Sequence, residues 1–235
     1  MRIGKSLLLL AALSLAASGA AQAREGYIVR FAGASIHPTG DLRIDESAAV
    51  ALGDGTTLEQ TTRATVEADS AFGFCIDFER RYNDLFGLGL TIMWADHDLD
   101  ATGSETARIT DDATNAVLSE TTESLTLPLG GVDMMPLLVG GNFHFGASEK
   151  VDLYAGPFVG LVTFGDLMFE DQRIGFRDDF AWGATLGMDV PFRNGKAAFS
   201  ASARYMITDA ESDEVEPQTL ELDPLVVMFG LGYRF

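Results

Sequence analysis

Three histidines, His37, His97 and His144, are the side chains of this chain best suited to acid and base chemistry. Nucleophilic catalysis needs a serine, threonine or cysteine beside such a base, and an acid that orients the base. These residue types do not occur together at a spacing that is recognisable as a catalytic set. The sequence therefore predicts a protein that is not an enzyme.

The acidic segment Asp96-His97-Asp98-Leu99-Asp100 superficially resembles the start of a calcium-binding loop. Such a loop needs glycine at its sixth position and glutamate at its twelfth, and Ala101 and Ala107 occupy those positions here. We therefore predict a solvated acidic loop that collects divalent ions loosely, with no specific metal site and no cofactor. Cys75 is the only cysteine, which excludes a disulfide framework and predicts an inert small side chain.

Charge and apolar residues are segregated along the chain. The formal net charge is -19, yet hydrophobic residues make up 47% of the sequence. Most of the acidic residues fall in four stretches, Pro38 to Thr65, Asp96 to Leu127, Gly165 to Asp179 and Asp209 to Asp223, which alternate with segments that carry few charges. The acidic total argues against nucleic-acid binding, which needs a basic surface.

The final segment, from Leu222 to Phe235, alternates between two kinds of side chain. Successive side chains of a strand point to opposite sides, so the segment predicts a strand with one continuous apolar surface. A soluble sandwich would bury that surface in a core, whereas a membrane barrel turns it to lipid. We favour the barrel, because Tyr233 and the terminal Phe235 resemble the assembly signal of outer-membrane barrels. The apolar side carries Leu225, Val227, Phe229, Leu231, Tyr233 and Phe235.

The beginning of the chain has the composition of a secretory signal. Arg2 and Lys5 precede an apolar run from Leu7 to Ala17, and Ala21-Gln22-Ala23 has the A-x-A pattern of a cleavage site. The apolar run is too short for a spanning helix, which needs about 20 residues. We predict a signal peptide over residues 1–23, cleavage after Ala23, and export of a single mature domain, residues 24–235.

Eight strand candidates follow in the mature chain, each long enough for a tilted membrane strand of about 9 to 11 residues. Short connections alternate with the four long acidic stretches, and Asn194-Gly195 is a strong hairpin signal. Short periplasmic turns, long outer loops and an even strand number predict an all-β, antiparallel, up-and-down transmembrane barrel. The candidates are Gly26 to His37, Val66 to Glu79, Leu85 to Ala95, Val132 to Phe145, Val151 to Phe164, Phe180 to Phe192, Ala197 to Thr208 and Leu222 to Phe235.

The alternation in most strands assigns aromatic and aliphatic side chains to the lipid side and small or polar ones to the lumen. The fifth strand is ambiguous, because Tyr154 and Phe158 on one side and Leu153, Val159 and Leu161 on the other are both suited to lipid. Counting upward from the short turns divides the inward positions into two zones. A polar, charge-paired floor contains Arg30, Asp77, Glu79, Asn142, His144, Asp189 and Arg234, and an apolar chamber above it contains Met93, Met134, Pro136, Leu138, Met206, Val226 and Met228.

Several segments of this chain resemble the outer membrane protein W family. They are Leu222 to Phe235, Tyr154 to Gly160, and Trp182 to Asp189 after an acidic loop. One segment departs from the family, because Met134-Met135-Pro136-Leu137 stands where the family usually has Pro-Pro-Thr. The resemblance implies a monomeric eight-stranded barrel of the Gram-negative outer membrane with a hydrophobic channel for small apolar compounds.

Two hypotheses for function remain open at this point. In the first, the chamber admits small hydrophobic ligands, and the protein is an outer-membrane channel for them. In the second, apolar side chains simply fill the lumen, and the protein is a non-conducting surface barrel whose acidic loops serve adhesion, stress tolerance or ligand reception. The expected partners in both are outer-membrane lipid, lipopolysaccharide and the barrel assembly machinery.

Overall fold

The computed structural model describes residues 26–145, 151–169, 172–192, 195–212 and 219–235, and its elements are strands and turns. In those ranges no helix has the length and hydropathy to span a membrane. The predicted signal peptide lies outside the described residues. The strands are β1 Tyr27–His37, β2 Asp41–Ala51, β3 Thr56–Ala68, β4 Ala71–Arg81, β5 Phe86–Asp111, β6 Val117–Phe145, β7 Asp152–Phe164, β8 Leu167–Phe169, β9 Gln172–Ile174, β10 Asp179–Phe192, β11 Ala197–Ile207, β12 Asp209–Glu211, β13 Thr219–Glu221 and β14 Leu225–Arg234.

A closed antiparallel ring is the centre of the fold. Eight strands follow one another around it in chain order, and each pairs with the strands on either side of it in the ring. They are β1, β4, β5, β6, β7, β10, β11 and β14. Pairing of β1 with β14 joins the two ends of the chain, and pairing of β5 with β6 completes the circle. The predicted eight-stranded up-and-down barrel is confirmed.

Two of the acidic stretches predicted as loops are strands instead. The predicted strand Val66 to Glu79 is divided, because Val66 belongs to β3 and the ring strand β4 begins at Ala71. The third ring strand continues beyond Ala95 to Asp111, and the fourth begins as early as Val117. Each strand was predicted to end where its lipid-facing apolar stripe ends. That stripe stops where hydrocarbon stops, whereas threonine-rich strands continue to pair in water.

These longer strands build a four-stranded sheet that projects beyond the ring, here called the extension (residues 41–68 and 99–128). Its order is β2, β3, β5 and β6. The other two long connections form the short hairpins β8–β9 and β12–β13 at the same end. Leu167 and Leu220 from these hairpins are buried among the lumen side chains. The hairpins therefore cover the long-loop end of the lumen.

The outer wall of the ring carries the apolar surface that the alternation predicted. Phe72 is 87% exposed and Phe229 is 67% exposed, although both are large and apolar. The fifth strand is now assigned: Tyr154 and Phe158 are buried in the lumen, while Leu153, Val159 and Leu161 face outward. Contiguous apolar surface of this extent marks a membrane contact. The ring is therefore surrounded by lipid.

Candidate functional site

The floor of the lumen is a cluster of buried charges near the short-turn end of the ring. Arg30 on β1 donates hydrogen bonds to Glu79 on β4 at 2.9 Å and to Asp189 on β10 at 2.8 Å. The ring centre of Tyr154 lies 4.8 Å from the guanidinium carbon of Arg30. Arg30 is 2% exposed, and Glu79 and Asp189 are 1% and 0% exposed. These charges are withdrawn from water and balanced by one another.

His144 connects this centre to a second group of charges. Its ring nitrogens lie 2.9 Å from a carboxylate oxygen of Glu79 and 3.0 Å from one of Asp152. Asp152 also accepts a hydrogen bond from Arg234 at 2.9 Å. Arg81 forms ion pairs with both Glu79 and Asp152. The carboxylate of Asp152 thus joins side chains from three other strands.

A third group lies on the opposite side of Arg30. Arg204 on β11 donates to both carboxylate oxygens of Asp77 at 2.9 Å, and the Thr91 hydroxyl donates to the same carboxylate. Ser200 donates to Asp189 at 2.7 Å. Because an unpaired buried charge costs several kcal/mol, each carboxylate in the floor requires such partners.

The floor crosses the lumen completely. Each ring strand provides at least one member, in ring order Arg30, Asp77, Thr91, His144, Asp152, Asp189, Arg204 and Arg234. An eight-stranded barrel is only wide enough for side chains or one small ligand. The network therefore closes the lower lumen from wall to wall.

The residues predicted for the floor lie in this cluster. Arg30, Asp77, Glu79, His144 and Asp189 are buried, Arg234 is half-buried at the edge, and Asn142 donates to Glu79 at 2.9 Å. The predicted floor did not include six other members, which are Arg81, Thr91, Asp152, Tyr154, Ser200 and Arg204. Arg81 was assigned to a turn, whereas β4 includes it. Asp152 and Tyr154 were missed because the fifth strand was ambiguous, although both alternate in phase with Phe158.

The chamber above the floor is apolar and tightly packed. All of its predicted residues are buried inside the ring: Met93, Met134, Pro136, Leu138, Met206, Val226 and Met228. A cavity of about 20 Å³ remains near the top, between side chains that include Leu99, Val132, Phe164 and Leu220. This volume is close to that of one water molecule. A ligand larger than water fits at this place only by displacing side chains.

The ladder between β5 and β6 has a short gap at Met135 and Pro136. The two strands pair at Ile92 with Leu137 and again, in the same register, at Ala95 with Met134. Proline has no amide hydrogen, so it cannot donate to the ladder. A groove of about 430 Å³ opens on the outer surface at this level, lined by residues that include Phe74, Trp94, Met134, Met135 and Phe164. Met134 and Phe164 also belong to the lumen core.

A family model described as "Outer membrane protein beta-barrel domain" matches residues 6–235. The chain belongs to this family of outer-membrane β-barrels. Among curated proteins, outer membrane protein W of Salmonella typhi is 28% identical over 188 residues, which are 74% of this chain and 84% of that protein. The predicted resemblance to the outer membrane protein W family is therefore confirmed, and so is the location in the bacterial outer membrane.

Solved structures of outer-membrane barrels share the fold. The crystal structure of OprG from Pseudomonas aeruginosa has a TM-score of 0.63 at 19% identity, with 90% of this chain and 96% of OprG covered. The solid-state NMR structure of AlkL in lipid bilayers has a TM-score of 0.53 at 17% identity, with 93% and 94% covered. At these identities the likeness establishes the fold of the barrel.

Two histidines of this outer-membrane barrel lie outside the floor. His37 faces the outer surface, with its ring nitrogens 3.0 Å from the Ser35 hydroxyl and 2.9 Å from the Ser70 hydroxyl. A carboxylate does not take part in these contacts. His97 is buried, and its Nδ1 lies 2.9 Å from the Asp69 carbonyl oxygen.

The segment expected to be an acidic loop, residues 96–100, is part of β5. Its side chains alternate between the two faces, with Asp96 and Asp98 outward and His97 and Leu99 inward. The extended backbone therefore places these carboxylates along one face of a strand and does not wrap them around a common centre, as a calcium loop does. Among the described residues, no group of three or more acidic, histidine or cysteine side chains is arranged to hold a metal ion.

The rim of the barrel at β12 concentrates negative charge. Partial burial and the nearby carboxylates of Asp179, Asp223 and Glu221 raise the pKa of the Asp209 carboxyl above its usual value. An acid with a raised pKa binds its proton more tightly in the folded protein than in the unfolded chain. Asp209 therefore favours folding more at low pH than at neutral pH.

The end of the chain closes the ring at the short-turn side. The Phe235 amide donates to the Tyr27 carbonyl at 2.9 Å, and the Tyr233 and Phe235 rings meet edge to face at 4.9 Å on the outer wall. Deleting Phe235 is expected to reduce the amount of barrel in the outer membrane, since the predicted assembly signal is lost. Membrane fractionation and the heat-modifiable gel shift measure this. The control is Phe235→Tyr, which keeps an aromatic ring at the last position and should assemble normally. Normal insertion of the truncated chain would contradict the assignment.

Proposed function

We propose that this barrel carries small hydrophobic molecules from the cell surface through its upper lumen and into the membrane beside it. The observation that carries the proposal is an apolar chamber that has a charged, closed floor below it and shares Met134 and Phe164 with a groove on the outer wall. The proposal involves no cofactor and no turnover chemistry. It is supported by three features of the path: its entrance, its floor and its adaptable lining.

The inner face of the extension provides an apolar entrance. Leu42, Val66 and Leu127 lie in one row across the sheet, and Ile44 and Leu125 lie in the next row outward. These residues lie on the same face of the sheet as Leu99, whose side chain points into the lumen. The apolar lining of the chamber therefore continues above the membrane.

The floor favours an exit through the wall over an exit into the periplasm. Moving an apolar molecule through the floor requires the ion pairs of Arg30 with Glu79 and Asp189 to separate. Separating buried pairs without replacement partners costs about 3 to 5 kcal/mol. The outer groove shares Met134 and Phe164 with the chamber and lies away from these pairs, so an exit on that side leaves them intact.

The lining of the chamber suits varied ligands. Met93, Met134, Met206 and Met228 contribute flexible, unbranched side chains. Methionine adapts its shape to irregular partners, so these residues are suited to moving aside for a ligand. The packed interior supports the alternative as well: if the methionines stay in place, the protein is a non-conducting surface barrel.

A test of the two functions is to overfill the chamber with Met206→Trp. Overpacking a core costs about 1 to 3 kcal/mol, and about 1.4 kcal/mol added to a transfer barrier slows it tenfold. We therefore expect transfer of the hydrophobic fluorophore N-phenylnaphthylamine into proteoliposomes to slow by roughly tenfold. Met228→Asp is expected to slow it too, because a carboxylate repels apolar ligands from the chamber.

The matched control is Met188→Trp, which makes the same change on the lipid-facing side of β10. It should leave the transfer rate unchanged, and folding of each variant is checked by the heat-modifiable gel shift. Wild-type transfer rates in both folded chamber variants would favour the surface barrel over the carrier.

A further inference from the structure

The outer face of the extension has a chemistry of its own. Strand β5 runs without a break from the ring into the extension. Its even-numbered residues therefore lie on one side of the sheet and its odd-numbered residues on the other. Trp94 faces outward from the ring, and Thr102, Ser104 and Thr106 lie on the same side as Trp94. This outward side of the extension is here called the hydroxyl face.

Register places threonines of three strands side by side on the hydroxyl face. Thr65, Thr102 and Thr126 form one row across β3, β5 and β6, and Thr61, Thr106 and Thr122 form another. The Thr106 and Thr122 hydroxyls lie 3.0 Å apart. Neighbouring strands are about 4.8 Å apart and alternate residues about 6.7 Å apart. The result is a flat, regular array of hydroxyl groups.

The two faces of the extension differ in composition. The inner face carries the apolar entrance, with Leu42, Ile44 and Leu127, so a general preference of strands for threonine does not explain the contrast. Arg43, Arg63 and Arg108 all lie on the hydroxyl face. They pair with Asp41 at 2.8 Å, Asp45 at 3.3 Å and Glu120 at 3.7 Å. Hydroxyl groups flanked by such pairs offer both donors and acceptors.

The position of the hydroxyl face follows from the order of residues along β5. Its outward side chains are apolar up to Trp94, and Asp96 and its cross-strand partner Asp133 come next. Carboxylates do not lie in hydrocarbon, so the lipid ends at this level. Thr102 and Thr106 lie roughly 20 to 33 Å farther along the strand, at 3.3 Å per residue. The face continues the lipid-contacting wall directly, at the height of the sugars of the surrounding lipopolysaccharide.

We infer that the hydroxyl face binds the saccharide chains of neighbouring lipopolysaccharide molecules. Each threonine hydroxyl donates one hydrogen bond and accepts others, as each sugar hydroxyl does. The same strands therefore contact lipid, then headgroups, then sugars, in the order in which the outer leaflet presents them. This inference is independent of any transport through the lumen.

The test removes the hydroxyls while keeping the shape of the sheet. Thr102, Thr106, Thr122 and Thr126 are changed together to valine, which has nearly the same size and favours strands. The full mature barrel in nanodiscs is titrated with core and O-chain saccharide, released by mild acid from lipopolysaccharide of the same bacterium. Amide signals of the extension in NMR report binding. Losing several hydrogen bonds of about 0.5 to 1.5 kcal/mol each should raise the Kd at least about tenfold.

Two control variants separate binding from folding. Thr62→Val with Thr121→Val removes hydroxyls from the inner face, and the four-site change to serine keeps the hydroxyls of the outer face. Both should bind the saccharide as the wild type does. Should the four-site valine variant fail to fold, Thr102→Val with Thr126→Val is tested in its place and should still weaken binding.

Several results would overturn the inference. They are no saccharide binding by the wild type, equal binding by the valine variant, and an equal response of the extension to lipid A without sugars. Equal affinity for heparin, a polysaccharide from outside the bacterium, would overturn the assignment to lipopolysaccharide.

Discussion

Changing Arg30 to methionine is expected to lower the free energy of unfolding of the barrel by at least about 3 kcal/mol. Methionine keeps much of the volume of arginine but removes its charge and its donors. Glu79 and Asp189 then remain buried at 1% and 0% exposure without the partner that bonds both of them. Reversible unfolding in detergent, followed by the loss of β-sheet circular dichroism, measures the change.

Two further variants isolate the cause of the Arg30 effect. Arg63→Met removes an arginine whose side chain is 74% exposed and which pairs with Asp45 on the extension, and it should cost no more than about 1 kcal/mol. Combining Arg30→Met with Glu79→Gln and Asp189→Asn removes the orphaned charges and should recover part of the loss. A single Arg30 variant as stable as the wild type would show that the floor is not a coupled charge network.

Leu231→Arg is expected to destabilise the barrel by about 2 to 4 kcal/mol. Leu231 is 54% exposed on the outer wall, where Phe31 and Phe199 are its cross-strand partners on either side. An arginine at this place must leave water for hydrocarbon. The free energy of unfolding in phospholipid bilayers measures the penalty.

Thr57→Arg is the control for the lipid-facing variant. Thr57 lies at the far end of the extension, where arginine stays in water, so its effect should be near zero. If the two arginine variants unfolded with equal free energies, the outward surface of β14 would not be in contact with lipid.

Local pattern predicted the ring strands and the faces of most of their side chains. Phe229, Leu231 and Phe235 were assigned to lipid from alternation alone, and the structure exposes all three on the outer wall. Alternation could not assign the fifth strand, because both of its sides are apolar, and the closed ring buries Tyr154 and Phe158 in the lumen. The extension also escaped prediction, since its strands lack the long lipid-facing apolar stripe that marks the ring strands.

The sequence by itself determined that this chain is a lipid-embedded barrel of the outer membrane and, for most of the ring strands, which side chains line its lumen. Those properties depend on a two-residue period, which is a local property of the chain. Only the tertiary structure decided that Arg30 meets Glu79 and Asp189, which are 49 and 159 positions away. It also decided that the chamber is filled and that an outer groove shares Met134 and Phe164 with it. Such contacts depend on the register and tilt of strands around the ring, which alternation along one strand does not specify.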